Sequence, residues 1–294
     1  MPLTRMYWIH ALSPVHVGAG AGVGFVDLPI VRESITGWPV IPGSAIKGVL
    51  ADLHGASDPQ NRSAEARAAF GVAGEDHASS GSLVFSDARL VCLPLRSFYG
   101  TFAWAGSTMA LRRLARDLEA CGVQVPGVPN TDSHALVCQG SALVGGDYKV
   151  YLHDLDLPAR TEDLASRWAM LVSEALFPNN ADPWREVFSK RFVILPENEF
   201  NALVESGAEV VARVRLNDEQ KTVAKGALWY EEYLPAESVL AGLVWCDRVF
   251  QGGNGLTPQS LMQTFCSGAR QLQIGGKATT GKGFVRCVFG GNHA

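Results

Sequence analysis

The chain has 294 residues, of which 47% are hydrophobic and only 18% are charged. A charged fraction below the usual quarter indicates either a large core or a surface that neighbouring subunits cover. The net charge of −4 and the pI near 6.0 argue against a protein that holds nucleic acid by bulk positive charge, so any contact with phosphate must be local or shared across an assembly.

The N-terminal part of the chain predicts a strand, a glycine-rich loop, a helix and an insertion. Residues 6–12 combine aromatic and branched side chains before the break at Pro14, which predicts a strand. Ser44 is predicted to cap a helix whose apolar residues recur at helical spacing, and Lys47 is predicted to lie on a different face from them. Residues 55–82 are rich in Gly, Ala and Ser and are predicted to form a mobile surface insertion.

The rest of the chain alternates helical and extended patterns. Helices are predicted at 107–121, 162–176 and 258–269, and strands at 82–95, 187–195, 209–216, 238–249 and 284–289. Helices interleaved with separated strands indicate an α+β fold, and ferredoxin-like sheets with large insertions fit this order best.

Cysteine spacing and hydropathy both predict a cytoplasmic protein. The six cysteines are widely separated and form no Cys-x-x-Cys motif, so the sequence indicates neither a zinc knuckle nor a disulfide framework. Buried free thiols are the expected state. No apolar stretch reaches about 18 residues, and the N-terminus lacks a secretory leader pattern, so no membrane partner is expected.

Two glycine clusters suit the close approach of backbone amides to phosphate, but their spacing alone favours tight strand connections. They lie at 18–24 and 274–286. Residues 276–282 match the start of a nucleotide-binding phosphate loop, but Gly283 stands where that motif needs a magnesium-binding Ser or Thr. A strand pattern at 284–289 replaces the helix that the motif requires. An enzyme acting on small nucleotides is therefore disfavoured.

Several segments, taken together, resemble one protein family. They are HVGAG at 16–20, VDLPIVRE at 26–33, GWPVIPGSAIKGVL at 37–50, GSLVFSDARLVCLPLRSFYGTFAWAGS at 81–107, ALWYEEYLPAESVL at 227–240 and IGGKATTGKGFVR at 274–286. In this order they are similar to the backbone subunits of type III-B CRISPR effectors, the Cmr complexes, which belong to the RAMP superfamily. The resemblance covers nearly the whole chain.

The resemblance implies a fold and an assembly. It implies one RAMP domain over 1–294, with a ferredoxin-like or RRM-like palm and a protruding thumb hairpin at 213–237. We also predict a helical insertion at 100–180 and a turn in the thumb at Asp218 and Glu219.

The family's backbone subunits stack along a guide crRNA beside other type III subunits, and target RNA is cleaved where the thumbs interrupt the guide–target duplex. The alternative is a non-catalytic scaffold that binds crRNA while another subunit cuts.

The resemblance also implies which residues act in cleavage. Asp27 is expected to act by binding a weakly held Mg²⁺ or Mn²⁺, or by orienting or deprotonating the RNA 2′-hydroxyl that serves as nucleophile. His16 either passes a proton near neutral pH or packs beneath the loop. Glu231 and Tyr233 are expected to support the site, with the register left open by the adjacent Glu232.

A second set of residues is expected to hold RNA. Ser44 and Lys47 match a family helix that binds the guide backbone through an ammonium group and a helix N-terminus. Lys277, Lys282 and Arg286 are expected to contact phosphate from the glycine-rich C-terminal run. The resemblance thus separates residues that hold the guide from residues that cleave the target.

Overall fold

A path of ten hydrogen-bonded strands runs through the middle of the protein, in a computed structural model that describes residues 3–20, 22, 24–55, 63–72, 79–216, 223–250 and 255–290. The strands are β1 Leu3–Ala11, β2 Val40–Ile41, β3 Gly71–Val72, β4 Ser79–Ser80, β5 Val84–Phe85, β6 Ala88–Arg96, β7 Phe102–Ser107, β8 Ala135–Val137, β9 Lys149–Leu152, β10 Leu155–Thr161, β11 Phe192–Leu195, β12 Glu209–Leu216, β13 Val223–Tyr233, β14 Val239–Cys246, β15 Gly268–Gln273 and β16 Phe284–Gly290. The helices are α1 Gly43–Leu53, α2 Ala64–Phe70, α3 Thr108–Ala120, α4 Asp163–Leu176, α5 Trp184–Arg191, α6 Glu197–Ser206 and α7 Pro258–Phe265.

The strand order shows how the sheet is connected. Along the path the order is β15, β16, β1, β14, β6, β7, β11, β8, β10 and β9, and β2 and β5 pair at its side. The neighbours β16, β1, β14 and β6 pair antiparallel. In sequence α1 lies between β1 and β6, and α7 lies between β14 and β16. Within the described part of the chain, β12 and β13 pair with each other as a separate antiparallel hairpin.

Helices cover both faces of the sheet, and β1 shows why the chain is so hydrophobic. Tyr7 and Ile9 point into one core with residues of α1, α2, α6 and α7. Met6 and Trp8 point into a second core with residues of α3, α4 and α5. Because successive side chains of a strand point to opposite faces, two covered faces require apolar residues at every position. The large double core accounts for much of the low charged fraction.

Most of the elements predicted from the sequence are present. The structure contains the strands predicted at 6–12, 209–216, 238–249 and 284–289, and the helices predicted at 107–121 and 162–176, with boundaries shifted by at most three residues. Ser107 caps α3 by accepting the backbone N–H of Ala110 at 3.2 Å. The mixed helix and strand content confirms the α+β class at this level.

The predicted cap of the first helix is wrong. Pro42 is the N-cap residue, α1 begins at Gly43, and no side chain of the cap bonds to the helix. The Oδ1 atom of Asp87 accepts the N–H of Gly43 at 2.9 Å instead, so a residue distant in sequence satisfies the first amide. Ser44 lies within the first turn of α1, one residue after the helix begins.

The predicted strand at 187–195 is half wrong, because residues 187–191 belong to α5 and only Phe192–Leu195 is extended. Pro183 is the N-cap residue of this helix, and the Oδ1 atom of Asp182, one residue earlier, accepts the N–H of Trp184 at 3.0 Å. Phe188 is its only buried residue. A single buried position per two turns leaves too weak a helical pattern to identify from sequence.

Two further boundaries differ from the prediction. The helix predicted at 258–269 ends at Phe265, with Cys266 as its C-cap residue, and β15 begins at Gly268, which has a φ of +69°. The left-handed backbone at Gly268 favours glycine at the start of this strand. The strand predicted at 82–95 is two strands, β5 and β6, which pair with the same strand β14.

The predicted insertions contain ordered elements that pack on the sheet. Within 55–82, α2 buries four of its residues, while 56–62 and 73–78 lie outside the described residues. Residues 100–180 contribute strands β7 to β10 as well as α3 and α4. The hairpin of β12 and β13 begins at Glu209, and the predicted turn at Asp218 and Glu219 lies outside the described residues.

All six cysteines are free, and five of them are buried, as the absence of a Cys-x-x-Cys motif predicts. Burial raises the pKa of the Cys138 and Cys266 thiols to about 12. These thiols act as small apolar side chains. Among the described residues, no helix is long and apolar enough to cross a bilayer.

Candidate functional site

The last residues of β13 bring the N-terminal loop and the glycine-rich C-terminal run together. Glu231 and Glu232 are adjacent and both buried, with 2% and 8% of their surface exposed. Because side chains alternate along a strand, the two carboxylates point to opposite faces of the hairpin. Each face has its own set of partners.

Glu231 is surrounded by hydrogen-bond donors. Its Oε1 atom accepts the Trp229 indole N–H at 2.7 Å and the Lys277 ammonium group at 2.6 Å. Its Oε2 atom accepts the Tyr233 hydroxyl and the Arg213 guanidinium, the latter at 3.3 Å. Two neighbours of β13, one residue of β12 and one of the C-terminal run therefore converge on one carboxylate.

These donors keep Glu231 ionised. Burial by itself raises the pKa of the carboxyl, but the hydrogen bonds from Lys277, Tyr233 and Trp229 outweigh it and lower the pKa to about 2. Burial, together with the bond to Glu231, raises the pKa of the Tyr233 hydroxyl. At neutral pH the carboxylate is therefore a fixed negative charge and the phenol a fixed donor.

Tyr233 links this cluster to His16 and Lys282. Its ring is fully buried, lies 5.5 Å from the His16 ring and has the Lys282 ammonium group 4.8 Å from its centre. A cation over an aromatic face is worth about 0.5 to 1 kcal/mol at such a site. The structure therefore gathers five predicted site residues on this face of β13: His16, Glu231, Tyr233, Lys277 and Lys282.

Glycine allows the C-terminal run to wrap around His16. The N–H of Gly276 donates to the His16 carbonyl at 2.9 Å. Gly275 has a φ of +80°, and a Cβ atom there would lie 2.2 Å from that carbonyl oxygen. Any other residue would push the run away. The glycines therefore place Lys277, itself at a φ of +65°, beside Glu231.

His16 is buried and oriented by the backbone. Its Nδ1 atom lies 2.8 Å from the carbonyl oxygen of Glu232. Because a carbonyl oxygen only accepts, Nδ1 carries the proton in this contact. The Nε2 atom faces Gly18, where an added Cβ atom would lie 3.0 Å away. Both of the roles expected for His16, proton transfer and packing beneath the loop, fit this placement.

Asp27 lies in the N-terminal loop, one residue before Leu28, which pairs with the edge of β13. Its Oδ2 atom accepts the backbone N–H of Tyr230 at 2.7 Å, and its Oδ1 atom bonds to none of the described residues. The exposed Phe25 ring lies 5.1 Å from the Tyr230 ring. One carboxylate oxygen is thus fixed to the hairpin, and the other has no hydrogen-bond partner among the described residues.

Hydrogen bonds hold the Asp27 segment to β13 as a short extra strand. Leu28 pairs in parallel with Glu231, its N–H donating to the Tyr230 carbonyl at 3.1 Å and its carbonyl accepting the Glu232 N–H at 3.0 Å. The Glu232 carboxylate accepts the Ile30 N–H at 2.9 Å. The position of Asp27 is therefore defined by backbone pairing.

The other predicted RNA-binding residues lie apart from this cluster. Ser44 and Lys47 are on α1, and burial lowers the pKa of the Lys47 ammonium group, which makes no ion pair within the described part of the chain. Arg286 lies on β16, with its guanidinium 5.7 Å from the Phe177 ring. Of the five residues expected to bind RNA, Lys277 and Lys282 therefore lie in the β13 cluster, and Ser44, Lys47 and Arg286 do not.

Several residues of the site escaped the sequence analysis. They are Arg32, Arg213, Trp229 and Tyr230, together with a structural role for Glu232. Strand alternation in the segment WYEEY was a usable signal, because it places Trp229, Glu231 and Tyr233 on one face. The arginines gave no signal, since their partners lie 18 and 200 residues away in sequence.

Within the described residues, no group of three or more His, Cys, Asp and Glu side chains gathers as a ready-made metal site. Mg²⁺ is commonly bound by one or two carboxylates together with substrate phosphates and water. The free Oδ1 atom of Asp27 fits such a shared site. The oxygens of Glu231 and Glu232 are already engaged by donors.

Comparison with known proteins places the chain in a family. Residues 8–286 match the model of the RAMP superfamily. The chain belongs to this superfamily. A relative named CRISPR system Cmr endoribonuclease Cmr4, from Pyrococcus furiosus, is 33% identical over 297 residues, which cover 97% of each chain. The recognition of a Cmr-type RAMP subunit from the sequence is confirmed.

Solved structures of RAMP proteins share the fold. Oligomeric Cmr4 from Pyrococcus furiosus superposes with a TM-score of 0.74 at 26% identity, covering 99% of both chains. A chain of the type III-B Cmr-beta complex bound to cognate target RNA gives a TM-score of 0.73 at 19% identity, covering 97% of this chain and 96% of that one. At the latter identity the likeness concerns the fold alone.

Proposed function

We propose that this RAMP protein is the backbone subunit of a type III-B CRISPR effector that binds guide crRNA and cleaves complementary target RNA. The observation that carries the proposal is the placement of Asp27, pinned by the Tyr230 N–H beside a cluster of buried and cationic groups. The name endoribonuclease borne by a relative at 33% identity supports it. A predicted cytoplasmic location is part of the same proposal.

In the proposed reaction the RNA supplies the nucleophile, so the protein itself forms few or no covalent bonds to the substrate. The 2′-hydroxyl next to the scissile phosphate attacks the phosphorus, so the protein must hold the nucleotide in line and manage protons and charge. Among the described residues of the site, Asp27 supplies the carboxylate with an oxygen free of protein donors. It orients or deprotonates the hydroxyl, or shares a cation with the phosphate.

The remaining cluster supports Asp27 by charge and position. Glu231 keeps its negative charge far below neutral pH, so it serves to hold Lys277 rather than to exchange protons. Lys277 and Lys282 supply positive charge for the phosphate, and Tyr233 fixes the carboxylate between them. His16 stands beneath the loop as a proton carrier.

Among the described residues, Asp27 is the ligand that we propose for the metal expected from the sequence. We propose that the Oδ1 atom of Asp27 and the scissile phosphate would hold a weakly bound Mg²⁺ or Mn²⁺ between them. When bound, such an ion supplies positive charge that neutralises the phosphate. The residues that position Asp27 are the same whether the carboxylate acts on the ion or on the hydroxyl.

The fold suits the proposed assembly. We propose that β16, β1, β14 and β6 with α1 and α7 form the ferredoxin-like palm. Counted among these four strands in chain order, the order in the sheet is fourth, first, third and second, and all neighbours are antiparallel, as in that motif. The hairpin of β12 and β13 would be the thumb. Its half-exposed apolar side chains, Val210, Val214 and Leu228, suit insertion between splayed nucleotides.

Further copies of this chain and other type III subunits would complete the particle. The Cmr4 protein of Pyrococcus furiosus that shares this fold has been solved in an oligomeric form, which supports stacking of copies. The net charge of −4 supports sharing of the RNA contacts among subunits.

The test is Asp27→Ala in the complex assembled with guide crRNA and its partner subunits. We expect target cleavage to disappear at every position while guide and target remain bound. Cleavage at the normal spacing by this variant would contradict the catalytic assignment and favour a scaffold that leaves cutting to another subunit.

Lys47→Ala serves as the reciprocal comparison. Removing a guide-holding ammonium group should weaken retention of crRNA, most clearly at high salt, and complexes that do retain the guide should cut at the normal rate. The two variants therefore separate holding from cutting.

A further inference from the structure

The hydrogen bonds of Glu232 within the described part of the chain go to the loop that carries Asp27 and to His16. Its N–H donates to Leu28 and its carbonyl accepts the His16 Nδ1–H. Its Oε2 atom accepts the Ile30 N–H at 2.9 Å, and its Oε1 atom accepts the Arg32 guanidinium at 2.5 Å. Glu232 thus serves the loop, whereas its neighbour Glu231 serves the cationic cluster on the other face of β13.

Arg32 completes a clamp at the end of the same loop. Its NH2 group reaches Glu232, and its NH1 group donates to the carbonyl of Gly37 at 2.8 Å. The guanidinium thus ties the end of the loop to the following turn and to β13. Charge-assisted bonds of this kind are roughly twice as strong as neutral ones.

The opposite edge of the loop is paired as well. Val31 donates to the Val17 carbonyl at 2.8 Å and Ala19 donates to the Pro29 carbonyl at 3.0 Å. The segment that follows Asp27 is therefore held from both sides. The Glu232 side chain fixes the position of this segment along β13, because it bonds to Ile30 and Arg32, which lie beyond the backbone pairing at Leu28.

We infer that Glu232 and Arg32 are positioning residues for Asp27. They keep Leu28 and Ile30 in register with β13, and this register brings the Asp27 Oδ2 atom to the N–H of Tyr230 and leaves Oδ1 free of the described residues. The inference rests on the proposed role of Asp27 in cleavage. It assigns a function to two residues, Glu232 and Arg32, that have none in the proposed mechanism. A displacement of about 1 Å at such a site can cost about 100-fold in rate.

The experiment uses the assembled complex carrying Glu232→Gln. A Gln side chain has one acceptor oxygen, so it can accept from the Ile30 N–H or from the Arg32 guanidinium but not from both, and its NH₂ group opposes the other donor. The Ile30 bond is therefore weakened and the segment is pushed off its register. We expect the single-turnover rate constant for target cleavage to fall between about tenfold and about 100-fold, with target affinity unchanged.

A matched control comes from α3. Asp117 has 13% of its side chain exposed and pairs with Arg89 and Arg116, neither of which pairs with Glu232 or Asp27 among the described residues. Arg89 reaches only the far end of the segment, where it lies 3.6 Å from Glu33. Asp117→Asn removes a carboxylate of similar burial with similar partners. It should leave both the cleavage rate and the target affinity at the wild-type level.

A rescue variant tests the geometry itself. In Glu232→Gln/Arg32→Met the guanidinium no longer opposes the amide, so the Gln oxygen can again hold Ile30. Cleavage should recover by at least severalfold over the single variant, and Arg32→Met alone should cost less than Glu232→Gln because the carboxylate keeps its bond to Ile30.

Hydrogen exchange gives a readout that is independent of cleavage. In Glu232→Gln the amides of Ile30 and Tyr230 should exchange faster, whereas the amides shared by β1 and β14 should be unchanged. Unchanged exchange at Ile30 and Tyr230, or an equal loss of cleavage in Asp117→Asn, would overturn the inference. So would a proportional loss of affinity and rate with a lower melting temperature, because that would mark a general defect.

The failure of this inference is distinguishable from a failure of the proposed function. If Asp27→Ala abolishes cleavage and Glu232→Gln cuts at the wild-type rate, the positioning role alone is wrong. If Asp27→Ala still cuts, the catalytic assignment is wrong, and the inference falls with it whatever the exchange data show.

Discussion

The two faces of β13 carry adjacent glutamates that do opposite things. Glu231 gathers cations and donors, among them Lys277 of the C-terminal run and Arg213 of β12. Glu232 gathers the backbone of the N-terminal loop and Arg32. One strand end therefore organises the cationic cluster and, independently, the position of the Asp27 segment.

The two glutamates should differ most in their contribution to the free energy of unfolding. Glu231→Gln should destabilise the chain by on the order of 3 kcal/mol at pH 7, because the pKa of Glu231 falls from 4.5 to about 2 on folding. Urea unfolding of the purified full-length chain measures the loss. Glu232→Gln should cost less, since it keeps an acceptor for Ile30. An equal loss in both variants would break the distinction between the two faces.

The stability difference between the wild-type chain and Glu231→Gln should depend on pH. A carboxyl whose pKa is depressed by folding contributes its full stability above the unfolded pKa of 4.5 and loses it as the pH falls toward 2. The gap should therefore be constant above about pH 5.5 and shrink between pH 4.5 and pH 2. A gap that stays constant down to about pH 2.5 would contradict the depressed pKa.

A smaller effect is expected from Tyr233→Phe, which removes the hydroxyl that Glu231 accepts and keeps the ring beneath Lys282. It should cost about 1 to 2 kcal/mol of stability and about tenfold in cleavage rate. Tyr7→Phe is the matched control, because the buried Tyr7 hydroxyl donates to the Ser86 carbonyl at 2.6 Å. The control should lose similar stability with no loss of cleavage. If both variants cleaved the target at the same rate, the Tyr233 hydroxyl would have no role in cleavage.

The sequence predicted the scaffold well where local pattern decides structure. The residues of β1 by themselves predict a strand, and the pattern at 107–121 predicts the helix α3. α5 was missed because one buried residue, Phe188, sets its packing. The caps failed where the partner is distant, as with Asp87 at the start of α1.

The site could be predicted only in part, for a related reason. Asp27 and Glu231 came from family resemblance, since the β13 residues that meet the Asp27 loop lie 200 or more residues away in sequence. Composition and spacing carry no information about which carboxylate meets which donor. The distinct roles of Glu231 and Glu232 became visible only when strand alternation was combined with the pairing of Leu28.

The most direct test of the account is single-turnover target cleavage by the complex carrying Asp27→Asn. Asn keeps an oxygen that accepts the Tyr230 N–H, so the loop stays in place while the charge is lost. The account predicts that cleavage falls by at least about 1,000-fold, or about 4 kcal/mol, with guide and target still bound. Cleavage within about tenfold of wild type would show that the Asp27 carboxylate is not the group that acts on the RNA.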